Sequence, residues 1–174
     1  MSITKTISRT IVTAPTPLRL GEFCEQYGGH FAGMMQGAKN EPDYYLFVPG
    51  GAAAEIVAEF GGYGEDEPGA MDPRDGRKNT LALCASVHQH PAAKFAHEFK
   101  AHGLDDYYLP SQAELMLCFA NCPDIFAKEW YWSSTQRSAD YAWVQSVGSG
   151  SADYSYKRIK CRVRPVRRLV IHPL

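Results

Sequence analysis

LPSQAEL at 109–115, YWSST at 131–135, YAWVQSV at 141–147 and CRVRPVRR at 161–168 are the four stretches on which the fold turns. Ser111 and Glu114 stand three residues apart, the spacing at which a cap hydroxyl and a carboxylate satisfy each other's backbone donors, so a helix starts at Ser111 and runs to about Ala120. The three later stretches are short, rich in aromatic and β-branched residues and separated by Gly, Ser and Asp, which predicts strands joined by turns. Within YWSST, Tyr131 and Ser133 face opposite to Trp132 and Ser134. One aromatic ring is therefore expected in the core and the other at a rim. Within 141–147, Tyr141, Trp143, Gln145 and Val147 share one face and Ala142, Val144 and Ser146 the other, as suits a sheet packed on both sides.

Upstream, the pattern is less regular. Residues 30–35 and 44–48 are apolar runs separated by turn formers and predict an antiparallel hairpin. Residues 18–27 read as a short amphipathic helix carrying Leu20, Phe23 and Cys24 on one side and ending at Gly28 and Gly29. Residues 52–60 are ambiguous between helix and strand, and strand is preferred. Residues 61–79 hold Gly, Pro, Asp and Glu in quantity and predict a solvated surface loop. Asn79 is a plausible cap for a helix to about Val87, and Pro91 belongs in the first turn of the next, which Gly103 terminates. At the N-terminus, Ile3, Ile7, Ile11 and Val12 among Thr, Lys and Arg read as a strand ending at APTP.

Taken together, DGRKNT at 75–80, YYLPSQAEL at 107–115, YWSST, YAWVQSV and RVRPVRR resemble, in that order, the signature of the C-type-lectin-like domains that end many bacteriophage tail proteins and some bacterial surface proteins. The resemblance covers about 28–168. It implies an α+β, C-type-lectin-like fold with two or three helices and a mixed, mainly antiparallel sheet over 18–174; residues 1–17, outside the matched region, read from their β-branched run as an N-terminal β arm that either closes the domain's own sheet or pairs with another chain's edge. It also implies a virion protein made in the bacterial host cytoplasm, forming a homo-oligomer and joined to other virion proteins through the arm. Its ligand would be a host cell-surface protein or glycan. The alternative within the same resemblance is a structural baseplate or capsid adaptor or decoration protein.

Composition narrows these options. A chain of 174 residues with a formal net charge of −1 is long enough for one real core and lacks the basic excess of a general nucleic-acid binder. The basic concentration at 157–168 alternates with Val and Cys, as outward residues of a strand would. No apolar run follows the first Met, so neither a signal peptide nor membrane insertion is expected. Five cysteines without paired spacing fit a reducing compartment, and Cys118 and Cys122 read as buried free thiols.

No metal or cofactor is expected. Glu65, Asp66, Glu67, Asp72 and Asp75 offer hard oxygens, but not at EF-hand spacing, and the EPN and WND triplets of calcium-dependent lectins are missing. His88, His90, His97 and His102 lack a zinc-ligand spacing and read as polar surface. Catalysis finds little support either. Ser133 and Ser134 lie in no G-x-S-x-G elbow, and Cys161 stands alone where the formylglycine-generating enzymes of similar fold use a pair of cysteines.

The connections around the late strands, TQRSADY and GSGSADYSYK, combine Tyr, Ser, Gly, Asp and Arg, the vocabulary of paratopes: rigid amphipathic rings among small adaptable polar groups. The contact candidates are Arg137, Asp140, Tyr141, Gln145, Asp153, Tyr154 and Tyr156, with Trp143 a weaker one because a strand Trp is more often core; the alternative is that these loops only close a soluble domain.

Overall fold

The computed structural model describes residues 17–37 and 41–171; the strand expected at the N-terminus lies outside them. Its β-strands are β1 (Phe23–Cys24), β2 (Gly29–Met35), β3 (Tyr44–Val48), β4 (Ile56–Glu59), β5 (Trp130–Gln136), β6 (Tyr141–Ser146), β7 (Ala152–Tyr156), β8 (Lys160–Val163) and β9 (Arg167–Val170), and its helices are α1 (Gly76–Ala85), α2 (Pro91–Glu98) and α3 (Gln112–Asn121). The architecture is α+β. One sheet runs β1-β2-β3-β9 and the other β4-β8-β5-β6-β7. All pairings are antiparallel except β5 with β8, where Tyr131 lies opposite Arg162.

β5 stands between two cores. Tyr131 packs with Ala32, Leu46, Val48, Tyr108, Leu115 and Cys118, while Trp132 packs with Phe60, Leu83, Ala92, Ala96, Leu109 and Val144. The alternation read from YWSST is thus correct. The expected consequence is not, because both rings are completely buried. A rim ring does exist, but it is Trp130, 39% exposed. Helices α1 and α2 cover one side of this strand and α3 with the first sheet covers the other, so alternate residues of a single strand enter different interiors.

Helix α3 starts as its sequence dictates: the Ser111 hydroxyl accepts from the Glu114 amide at 3.3 Å and the Glu114 carboxylate accepts from the Ser111 amide at 2.7 Å. Glu114 does more than cap. Fully buried, it also accepts from the phenols of Tyr108 (2.6 Å) and Tyr44 (2.8 Å) and from the Gly76 amide (3.1 Å). A Cβ at position 76 would lie 2.4 Å from that carboxylate and 2.4 Å from the Ser111 nitrogen, so only glycine fits. Thr80 donates to the Gly76 carbonyl and accepts from the Leu109 amide. Asn79 clasps Asp72 and donates to the Ser134 hydroxyl. Arg168 pairs with Asp75 at 3.2 Å and lies over the rings of Tyr44 and Tyr108. Pieces of sequence from 75–80, 107–115, 134 and 168 therefore meet in one polar knot between the helices and both sheets.

A second buried polar site ties the sheets together. Glu55 accepts from Tyr131 (2.7 Å), Arg162 (2.5 Å) and Arg164 (2.8 Å), and Arg164 also donates to the Pro49 carbonyl. Burial raises the Glu55 carboxyl, but these donors outweigh it and hold the group below the ordinary carboxylate range.

Several expectations are corrected. The helix expected over 18–27 is replaced by β1 and a 3-10 turn at Glu25–Tyr27, because Phe23 and Cys24 pair back onto His30 and Gly29. Gly28, at φ 72°, makes the turn, and a Cβ there would strike the Tyr107 hydroxyl. Of 52–60, only the second half is a strand; Ala52–Ala54 forms a 3-10 turn. Helix α1 is capped by Asp75, not Asn79, which lies within the helix with its side chain buried against Asp72 and Ser134. It ends at Ala85. Helix α2 begins with Pro91 as expected but stops at Glu98, well before Gly103, and Phe99 turns outward to pack edge-on against Tyr107. The hairpin of β2 and β3 is as read, with a bulge at Gly33, and Cys118 and Cys122 are buried free thiols.

The acidic loop is not simply solvated. Lys157, completely buried, donates to Gln136 Oε1 (2.6 Å) and to the carbonyls of Glu65 (2.7 Å) and Gly62 (3.4 Å). Gln136 Nε2 donates to Asp66 at 2.6 Å. Glu67 accepts from Ser86 at 2.6 Å and lies 3.1 Å from His90. An ammonium from the far end of the chain thus organises the loop. Two residues expected at the surface, His90 and Arg164, are 4% and 6% exposed. Each is buried because it has a carboxylate and a backbone carbonyl to bond.

Candidate functional site

Strands β6 and β7 form a twisted ribbon whose register sets Tyr141 opposite Tyr156 and Trp143 opposite Tyr154. All four rings share one face. They form a continuous ladder: Tyr141 lies 4.5 Å from Tyr156 and 5.2 Å from Tyr154, and Tyr154 meets Trp143 edge-on at 6.1 Å. Tyr63, from the loop after β4, extends it, with its ring 6.2 Å from Tyr156. Arg158 lies over both Tyr63 and Tyr156, at 4.5 and 5.2 Å from their centroids. The Tyr156 phenol beside it, more than burial, pushes the Tyr141 hydroxyl up to about 12, so Tyr141 is an uncharged phenol at neutral pH.

The ladder faces outward. Tyr154 and Tyr156 are 48% and 38% exposed, while Tyr141 and Trp143 are half-buried. Holding rings in mutual contact removes most of their freedom in advance, which lowers the entropic cost of binding.

The remaining sequence-predicted residues divide. Arg137 is exposed in the turn between β5 and β6, its amide donating to the Tyr141 carbonyl at 2.8 Å. Asp140 is half-buried, and its carbonyl accepts from the Lys157 amide at 2.9 Å. Asp153 is exposed but lies on the opposite face of the ribbon, its carboxylate accepting from the Tyr154 amide at 2.8 Å. Gln145 is the correction: it is 3% exposed, and its amide is spent on the Gly150 carbonyl at 3.0 Å, bracing the turn between β6 and β7. Alternation put Gln145 on the ladder face, but the returning loop at 148–151 covers it. Tyr63 and Arg158 were missed. Tyr63 lies in a glycine-rich loop remote in sequence from the ribbon, where nothing local marks it. Arg158 directly follows Tyr156 and Lys157, and its proximity to the tyrosines was the available signal.

On the ribbon's other face lies a groove of about 430 Å³, lined by Val57, Trp130, Asp153, Ile159 and Lys160 among others and bordered at the ribbon's edge by Tyr154 of the ladder. Cys161 opens onto it, but burial pushes this thiol up to about 11, so it is protonated at neutral pH and a poor nucleophile. Among the described residues no three His, Cys, Asp or Glu side chains converge to hold a metal ion, and no helix is long and apolar enough to cross a membrane. Compared with known proteins, the chain matches no family model and no curated protein.

Proposed function

We propose that this protein is a non-enzymatic, tail-associated bacteriophage virion protein of C-type-lectin-like fold that binds a host cell-surface protein or glycan through its late strands and loops. The observation that carries this reading is the preassembled ladder of Tyr63, Tyr156, Tyr141, Tyr154 and Trp143 with Arg158 across it. An exposed, mutually braced set of tyrosines beside an arginine is the composition of binding hot spots, and it does no work in either core. Supporting the fold assignment, residues from four of the five signature pieces, at 75–80, 107–115, 134 and 168, meet in the knot around Glu114, so sequences carrying those pieces share a reason to fold alike. On this reading the chain is homo-oligomeric in the particle and anchored there by residues 1–17.

A second reading, a baseplate or capsid adaptor, is favoured by the apolar side chains around the groove, which resemble a surface meant to be covered by another chain. Adsorption separates the two. Purified protein carrying Tyr154→Ala and Tyr156→Ala should keep its circular dichroism and lose binding to host cells, and particles carrying it should assemble but not adsorb. Defective assembly with unchanged adsorption would overturn the receptor-binding reading.

A further inference from the structure

Four of the large apolar side chains left exposed by the fold, Val57 (55%), Trp130 (39%), Tyr154 (48%) and Ile159 (44%), line one groove. They come from β4, β5, β7 and the turn before β8, so no single element's amphipathicity explains their convergence. Contiguous exposed apolar surface of this kind marks an interaction site, and Trp and Tyr are the residues that carry interface energy. The volume, about 430 Å³, lies in the range of roughly 300–1,000 Å³ typical of sites that engulf a ligand group.

Charge then restricts the occupant. Lys128, Lys160 and Arg162 face Glu129 and Asp153 in this groove. Arg162 and Glu129 neutralise each other at 2.9 Å, leaving two ammonium groups against one carboxylate. Neither lysine has an ion-pair partner among the described residues. Asp153 already accepts from the Tyr154 amide, which blocks part of the outer edge of β7 and directs recognition to side chains rather than to strand addition.

We propose that this groove is a second binding surface, sharing only Tyr154 with the tyrosine ladder, that takes an acidic peptide segment of a partner protein with one bulky apolar anchor residue. The branched aliphatic side chains of Val57 and Ile159 beside Trp130 suit a hydrocarbon anchor, and the ammonium groups of Lys128 and Lys160 suit acidic neighbours of that anchor. The proposal does not depend on the ladder binding a receptor.

The test uses the whole purified chain and short fluorescent peptides in which Leu, Phe or Trp is flanked by Asp and Glu, read by anisotropy at low and high salt. Control peptides carry Lys in place of the acids or Ala in place of the anchor. The acidic, anchored peptides should bind and both controls should fail. Affinity should fall about tenfold or more in Trp130→Ala and in Ile159→Glu, a loss typical of a hot-spot anchor. It should fall less in Lys160→Gln and weaken as salt rises. Tyr63→Ala, on the ladder, should leave peptide binding unchanged. No difference between acidic and basic peptides, or binding that survives both Trp130→Ala and Ile159→Glu, would overturn the proposal. So would binding of polygalacturonate or phosphatidylglycerol vesicles at these residues in place of the peptides. Because Tyr154 borders both surfaces, adsorption is separated from peptide binding by Tyr63→Ala with Tyr156→Ala, neither of which lines the groove.

Discussion

Glu114 shows how one side chain joins distant parts of this chain. Burial alone drives its carboxyl above the ordinary range, and donors from Tyr108, Ser111 and Tyr44 pull the other way; the net direction is up. Glu114→Ala would leave two phenols and two amides without their acceptor, and urea denaturation should show a loss of about 3–5 kcal/mol, the cost of breaking a buried charged site by removing one partner. Tyr108→Phe deletes a single bond to that carboxyl and should cost about 1.5–3 kcal/mol. Glu55 and Glu67 behave oppositely. For both, burial is outweighed by donated hydrogen bonds, from Tyr131 and the arginines in one case and from Ser86 and His90 in the other, so their carboxyls fall below the unfolded value. Stability from each is present above the unfolded carboxylate pKa and lost as pH falls through the depressed folded one. Thermal melts between pH 6 and pH 3 (about neutral to acid) should show a shallower acid decline for Glu67→Gln than for the parent chain. An unchanged slope would show that Glu67 contributes nothing to it.

At the scale of elements, the loop between β4 and α1 and the β6–β7 ribbon carry the testable consequences. The loop is held by Lys157, a residue from the far side of the sheet. Lys157→Met fills the volume but leaves two carbonyls and Gln136 without their donor, and should cost about 3–5 kcal/mol. Limited proteolysis should then cut within 61–75 well before the rest of the chain. For the ribbon, Tyr156→Ala removes contacts with Tyr141 and Tyr63 on an exposed face and should cost only about 0.5–1.5 kcal/mol. Its effect on cell binding should far exceed its effect on stability. Comparable losses in both would mark the ladder as packing and nothing more.

For the whole molecule, β5 decides cooperativity. Because Tyr131 and Trp132 enter different cores from adjacent positions, neither core can open without moving the strand that builds the other. Unfolding followed by tryptophan fluorescence and by far-ultraviolet circular dichroism should therefore give superimposable transitions. Trp132→Ala should cost about 3–5 kcal/mol, whereas Trp130→Ala, at the exposed start of the same strand, should stay within about 0.5 kcal/mol. Two resolved transitions would show that the cores melt separately.

The capping box at Ser111 and Glu114, the strand periods of YWSST and YAWVQSV, the β2–β3 hairpin and the proline start of α2 were legible because each depends on neighbours a few residues apart. The sequence by itself thus determined these segments and which residues of a strand share a face, but not 18–27, where pairing back onto β2 replaces the expected helix. The tertiary structure alone decided what each face meets: that both rings of YWSST are buried, that Gln145 is spent on a turn, that Lys157 and Arg164 lie inside, and that Tyr63 joins a ladder far from it in sequence. A period of two specifies a side. Burial and charge compensation depend on what the rest of the chain brings to that side, and these partners lie from 5 to more than 100 residues away.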